Sequence, residues 1–220
     1  MTRGLWPGII AFVIGTVGIA GVAGAQQASP ALASPTIPTL NDVKPKLLRL
    51  VIDDQWDRGN DMFGGRQVKA PETLDWAAIA KRDQERESAV RSLLAEGQIE
   101  TGTEFRFAAL IFQHSDADGS IALAHVLAVT AVIKGDAAAK WLAAATLDRY
   151  LQRQKQPQLF GTQFTQQEGQ WTMAPYDRGT VPDSVRAVWC VVPLAGQDEG
   201  LKAMRDGKSD GVSTSIGDCK

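Results

Sequence analysis

The feature that most constrains this chain is the stretch from Thr103 to Leu151, where three successive segments are apolar on nearly every side. Phe105 to Phe112 carries Arg106 as its one charged residue, Ile121 to Ile133 only His125 and Thr130 as polar groups, and Ala137 to Leu147 only Lys140 and Thr146. A helix without a polar face must be surrounded by other elements. The breaks are short: Asp116 to Ser120, and Gly135-Asp136, where glycine closes one helix and aspartate caps the next. Short breaks force antiparallel neighbours. The fold class expected is therefore mainly α, a compact antiparallel bundle of about five helices.

The flanking segments supply the outer helices. Lys46 to Arg58 combines Leu47, Leu48, Leu50, Val51 and Ile52 with a polar continuation and opens at Pro45, which predicts an amphipathic helix. A second helix is predicted from about Asp75 to Glu96, with Trp76, Ile79, Val90, Leu93 and Leu94 as its stripe and Gly97 as its C-cap. Its charged middle, Lys81 to Glu87, reads as a solvated face. Beyond Gln154 helical periodicity stops. Phe160 to Thr165 and Gln170 to Met173 read as a small C-terminal β-hairpin, and Thr180-Val181-Pro182-Asp183 as the start of a short helix. Residues 198–220, poor in bulky apolar groups, read as a polar tail.

At the other end, Arg3, the uncharged apolar run from Leu5 to Val22 and Ala23-Gly24-Ala25 have the layout of a secretory signal cleaved after Ala25. An uncleaved anchor is the alternative. Residues 26–40 contain three prolines and read as a Pro/Ala/Ser linker, so the expected single domain covers residues 41–197. These features place the protein outside the cytoplasm, periplasmic or secreted, with no membrane segment after cleavage. Export makes a Cys190–Cys219 disulfide the expected state of the two cysteines, with a typical worth of about 3 kcal/mol. The formal charge is −2, from 23 basic and 25 acidic residues, and removal of the signal takes away only Arg3. No positive field exists to hold nucleic acid. Nothing in the sequence fixes an oligomeric state, and no cofactor is expected.

Two common catalytic signatures are missing, since the chain has no His-Glu-x-x-His and no Cys-x-x-Cys, and Gly207-Lys208-Ser209 stands in the polar tail. The informative residues are the two histidines, His114 and His125, since each interrupts an apolar helix where a polar ring needs a partner. Asp148-Arg149 stands at the far end of the third core helix, where antiparallel packing brings it towards His114 and His125. A carboxylate that orients an imidazole gives acid/base chemistry, and two imidazoles with a carboxylate suit a metal. The alternative is that the histidines are satisfied inside the bundle and Asp148-Arg149 is a structural link.

The strings Gln113-His114, Asp148-Arg149, Gln158-Leu159-Phe160-Gly161-Thr162-Gln163 and Asp183-x-x-Arg186 resemble the motifs of an uncharacterised bacterial domain-of-unknown-function family. Asp54-Gln55-x-x-Arg58 and Asp83-x-x-Arg86 match its layout, so the resemblance runs over about residues 50–195. It implies no reaction. It does select Gln113, His114, Asp148, Arg149, Gln158, Gly161, Thr162 and Gln163, and leaves out His125. Arg149 offers a planar fork to an anion, Gln158 and Gln163 paired donors and acceptors, and the Gly161-Thr162 turn backbone N–H groups. The expectation is a small-molecule enzyme, hydrolase-like or transferase-like. In it His114 is the acid/base, Asp148 its orienter, and Gln113, Arg149, Gln158, Gly161, Thr162 and Gln163 hold a polar or anionic ligand. A non-catalytic module that binds a ligand or protein is the other reading.

Overall fold

A computed structural model describes residues 43–61, 66–67, 73–117, 119–208 and 214–216. The expected signal (1–25) and linker (26–40) lie outside the described residues. Five helices form the bundle: α1 (Pro45–Asp57), α2 (Trp76–Ala95), α3 (Gly102–Phe112), α4 (Ser120–Ile133) and α5 (Lys140–Arg153), the last preceded by a 3₁₀ turn at Ala137–Ala139. Two short helices follow, α6 (Asp183–Val188) and α7 (Leu194–Arg205). The extended elements are two antiparallel ribbons, β1 (Asn60–Asp61) with β2 (Arg66–Gln67) and β3 (Thr165–Gln167) with β4 (Gln170–Thr172). The fold is mainly α. No helix of the described residues is long and apolar enough to cross a membrane.

Local chemistry accounts for the boundaries. Pro45 opens α1, and Leu47, Val51 and Asp54 form its buried stripe at helical spacing. The Asp75 carboxylate caps α2 through the Ala78 N–H. At the other end Gly97, at φ +67°, lets the Gln98 N–H reach the Leu93 carbonyl, so the helix closes in a Schellman motif. Thr101 and Glu104 form a reciprocal capping box on α3. Glu104 also accepts the backbone N–H of Lys44 at 3.1 Å, which ties the start of α1 to the start of α3.

The main core joins Leu47 and Val51 of α1, Val90 and Leu93 of α2, and Phe107, Ile111 and Phe112 of α3 to Ile121, Ala124, Leu127, Ala128, Leu142 and Ala143 of α4 and α5. Helix α4 packs between α3 and α5. A smaller core under α6 gathers Ala144, Phe160, Val181 and Val191, with the Trp189 ring 5.2 Å from that of Phe160.

Three expectations are corrected. Lys81 to Glu87 is not wholly solvated: Asp83, Arg86 and Glu87 are buried, because α2 meets α1 partly through ion pairs instead of methyl groups and Glu87 accepts the Ser120 hydroxyl. The first hairpin strand begins at Thr165 and not at Phe160, since the amides of Leu159, Phe160 and Thr162 bond a side chain. The expected tail from residue 198 lies inside α7, where Gly200 and Met204 are buried, as is Gln197 just before them. Cys190 is disulfide-bonded. Cys219 lies outside the described residues, while Thr214 and Ile216 pair with Val192 and Cys190 through backbone hydrogen bonds.

Candidate functional site

A cleft of about 580 Å³ opens where the C-terminal end of α3 meets the start of α2 and the last turns of α5. Arg58, Asp83, His114, Arg149 and Arg153 line it, with Trp76, Ile79 and Ala80 along its α2 side and Gln113, Asp116 and Gln152 completing it. Among the described residues, no group of three or more His, Cys, Asp or Glu is arranged to hold a metal ion.

His114 and Arg149 meet here, and the orienting carboxylate is not Asp148. The His114 Nδ1 lies 3.1 Å from the carboxylate of Asp54, a residue that is 1% exposed on the inner stripe of α1. Asp54 also accepts Arg58 at 2.7 Å and the Gln55 amide at 2.8 Å. Burial alone would raise its pKa. The hydrogen bond and charge of His114, the charge of Arg58 and the Gln55 bond outweigh it, so Asp54 is held below the usual carboxylate value. A carboxylate acceptor fixes the imidazole with its proton on Nδ1 and leaves Nε2 as the basic nitrogen.

Asp54 belongs to an ionic seam between α1 and α2. Arg58 bridges to Asp83 at 2.5 Å, Arg86 bonds Asp83 at 2.8 Å and also Asp57, and Arg82 bonds Asp57 at 2.6 Å. Three arginines and three aspartates thereby neutralise one another. On the α5 side Arg153 bonds Asp116 at 3.0 Å and the Ser115 carbonyl at 2.7 Å.

Arg149 differs from all of these. Its Nε and one terminal nitrogen donate to the Gln163 side-chain oxygen, both at 3.1 Å, and the other terminal nitrogen donates to the Gln113 carbonyl at 2.9 Å. These acceptors are neutral. Among the described residues Arg149 has no carboxylate partner. Burial, and then repulsion from Arg153 and Arg58, lowers its pKa from the ordinary value. Of five N–H groups three are engaged, which leaves one on each terminal nitrogen.

Asp148 points away from the cleft. Fully buried, it accepts the N–H groups of Leu159 (2.8 Å), Phe160 (2.9 Å) and Thr162 (2.9 Å) and the Thr162 hydroxyl (2.8 Å). Gln158, also fully buried, donates to the Gln163 and Met173 carbonyls and accepts the Gln163 N–H. Gly161, at φ +66°, lies against Tyr176, and a Cβ there would stand 2.5 Å from the ring. Arg186 donates to the carbonyls of Leu159, Phe160 and Val181 from beneath. Asp148, Gln158, Gly161 and Thr162 therefore build a loop and none of them lines the cleft, which corrects their expected roles. Gln163 is the loop's output, because its side chain sets the plane of Arg149. Gln113 contributes its backbone carbonyl to the same task.

His125 stands apart from His114. Its Nδ1 lies 3.0 Å from the Ala143 carbonyl between α4 and α5, and burial lowers its pKa despite that bond. It is satisfied within the bundle. The sequence assigned no site role to Arg58, Trp76, Asp83, Asp116, Gln152 or Arg153 of the cleft, nor to Asp54 behind His114. The signal for Asp54 was present: a carboxylate in register with Leu47 and Val51 must be buried. Comparison of the chain with family models, curated proteins and solved structures finds no match.

Proposed function

We propose that this cleft takes a small anionic molecule and that the His114–Asp54 pair is its acid/base group, in a hydrolase-like or transferase-like reaction. One observation carries the reading: Arg149 is a partly buried guanidinium surrounded by neutral acceptors, with an N–H left on each terminal nitrogen at the wall of an open cleft. Burying a cation without a counter-charge is costly, and two N–H groups suit the two oxygens of a carboxylate or phosphate. His114 lines the same cleft. Its Nε2 would take a proton from water or a hydroxyl and return it to the leaving group, while Asp54 steadies the imidazolium. The motif resemblance supports the choice of His114, Arg149 and Gln163 and names no substrate. Export is proposed from the N-terminal sequence alone; N-terminal sequencing of the protein recovered outside the cytoplasm should begin at Gln26.

The test is turnover of a panel of small carboxylate esters, carboxylate amides and phosphate esters. His114→Ala should lower kcat by about 100-fold or more with the melting temperature and ligand affinity retained. Loss of affinity with no turnover of any panel member by the parent protein would instead make the cleft a binding module.

A further inference from the structure

We infer that the cleft selects a monoanion, a carboxylate carried beside a flat apolar group, and that Trp76 is the residue that recognises the apolar part. The inference rests on the anion site proposed above and deepens it.

The charge balance argues for one negative charge. Arg58, Arg82 and Arg86 are met by Asp54, Asp57 and Asp83, and Arg153 is met by Asp116. Arg149 is left over. With His114 neutral, as a general base must be before it takes a proton, a dianion would bring one charge more than the described residues can neutralise, and it would face the carboxylates of Asp83 and Asp116 in the same lining. A carboxylate matches both the single excess charge and the two remaining N–H groups.

The shape of the lining argues for the apolar part. Most polar groups come from the end of α3 and from α5, among them His114, Arg149 and Arg153, with Arg58 and Asp83 on the far wall. The apolar ones, Trp76, Ile79 and Ala80, all come from the first turns of α2. Trp76 is the first residue of α2, is 55% exposed and lines the cleft, so its indole is available to a ligand there. A carboxylate alone would use only the arginine side of a space of about 580 Å³. Aromatic stacking on an indole adds attraction that an aliphatic anion cannot obtain.

The experiment is an NMR titration of the purified protein with acetate, phenylacetate and phenyl phosphate at pH 7.5, following the indole N–H signals, with Trp76 assigned by Trp76→Phe. Phenylacetate should bind about tenfold more tightly than acetate. Trp76→Ala should bring it to within about twofold of acetate without changing acetate affinity. Arg149→Gln should weaken both carboxylates together. Equal affinity of acetate and phenylacetate, or a preference that survives Trp76→Ala, overturns the role of Trp76 while the anion site stands. Tighter binding of phenyl phosphate than phenylacetate overturns the monoanion. Failure of all three to bind a protein with an unchanged melting temperature removes the anion site itself, and the inference with it.

Discussion

Two arginines divide the molecule. Arg186, fully buried on α6, donates from all three guanidinium nitrogens to the carbonyls of Val181, Phe160 and Leu159, under the Tyr176 ring. Arg149 on α5 likewise has neutral acceptors, but it stands at the wall of the cleft with donors to spare. The same side chain serves a closed region in one case and an open one in the other. Each fork makes three hydrogen bonds, so what separates them is charge and place. Arg186 has the Asp183 carboxylate 3.7 Å away and lies under a loop held from its other side by Asp148; Arg149 has no carboxylate partner among the described residues and faces the cleft.

This contrast can be broken by substitution. Asp148→Ala strands three backbone donors and a hydroxyl in the closed region, and urea unfolding should reveal a loss of about 4 kcal/mol; a loss under about 1 kcal/mol would mean another group holds the loop. Arg186→Gln should cost about 3 kcal/mol, since it takes the donor from the carbonyls of Val181 and Leu159, while that of Phe160 keeps the Gln197 amide. Gly161→Ala meets both a left-handed backbone and the Tyr176 ring, and its cost should be about 2 kcal/mol in the same measurement. Arg149→Gln should change stability by less than about 1 kcal/mol, in either direction, because it removes a partly buried cation with no counter-charge. If Arg149→Gln proves as damaging as Arg186→Gln, the two regions are alike and the cleft loses its distinguishing feature.

The smallest effect is the pH dependence contributed by His125. Its folded pKa is depressed, so between that value and the ordinary 6.5 the unfolded chain binds more protons. Stability should therefore fall as the pH drops below 6.5, and His125→Gln should flatten that slope in thermal melts between pH 5 and 7. Asp54 acts lower on the scale. Its folded pKa is also depressed, so its contribution is present above 3.8 and is lost as the pH falls through the folded value.

The bundle was legible because its helices are separated by strong punctuation: Pro45, the Asp75 cap, Gly97, Gly135-Asp136. Residues Phe160 to Gln163 were misread for a physical reason. With Phe164 and Thr165 they supply the aromatic and β-branched residues of a strand, yet the amides of Leu159, Phe160 and Thr162 are claimed by Asp148, 11 to 14 positions earlier, and local patterning carries no trace of such a partner. Helix α7 was hidden because Gln197 and Gly200 are among its buried residues, neither of them an apolar marker. The site was half legible. His114 and Arg149 stood out as polar residues in apolar helices, whereas Asp54 was concealed inside a charged helix end that a hydropathy reading assigns to solvent. Pairing His114 with Asp148 rather than Asp54 followed from treating the core hairpins alone, without α1.

Gln163 touches both regions at once: its backbone N–H is fixed by Gln158, and its side-chain oxygen holds Arg149. Any molecule that clamps Arg149 must then slow the opening of the loop behind it, by thermodynamic reciprocity. Amide hydrogen exchange at Phe160, Thr162 and Gln163 should become slower when the cleft is filled, although these N–H groups bond Asp148 and Gln158 and touch no ligand. The loop is in that sense a remote gauge of occupancy.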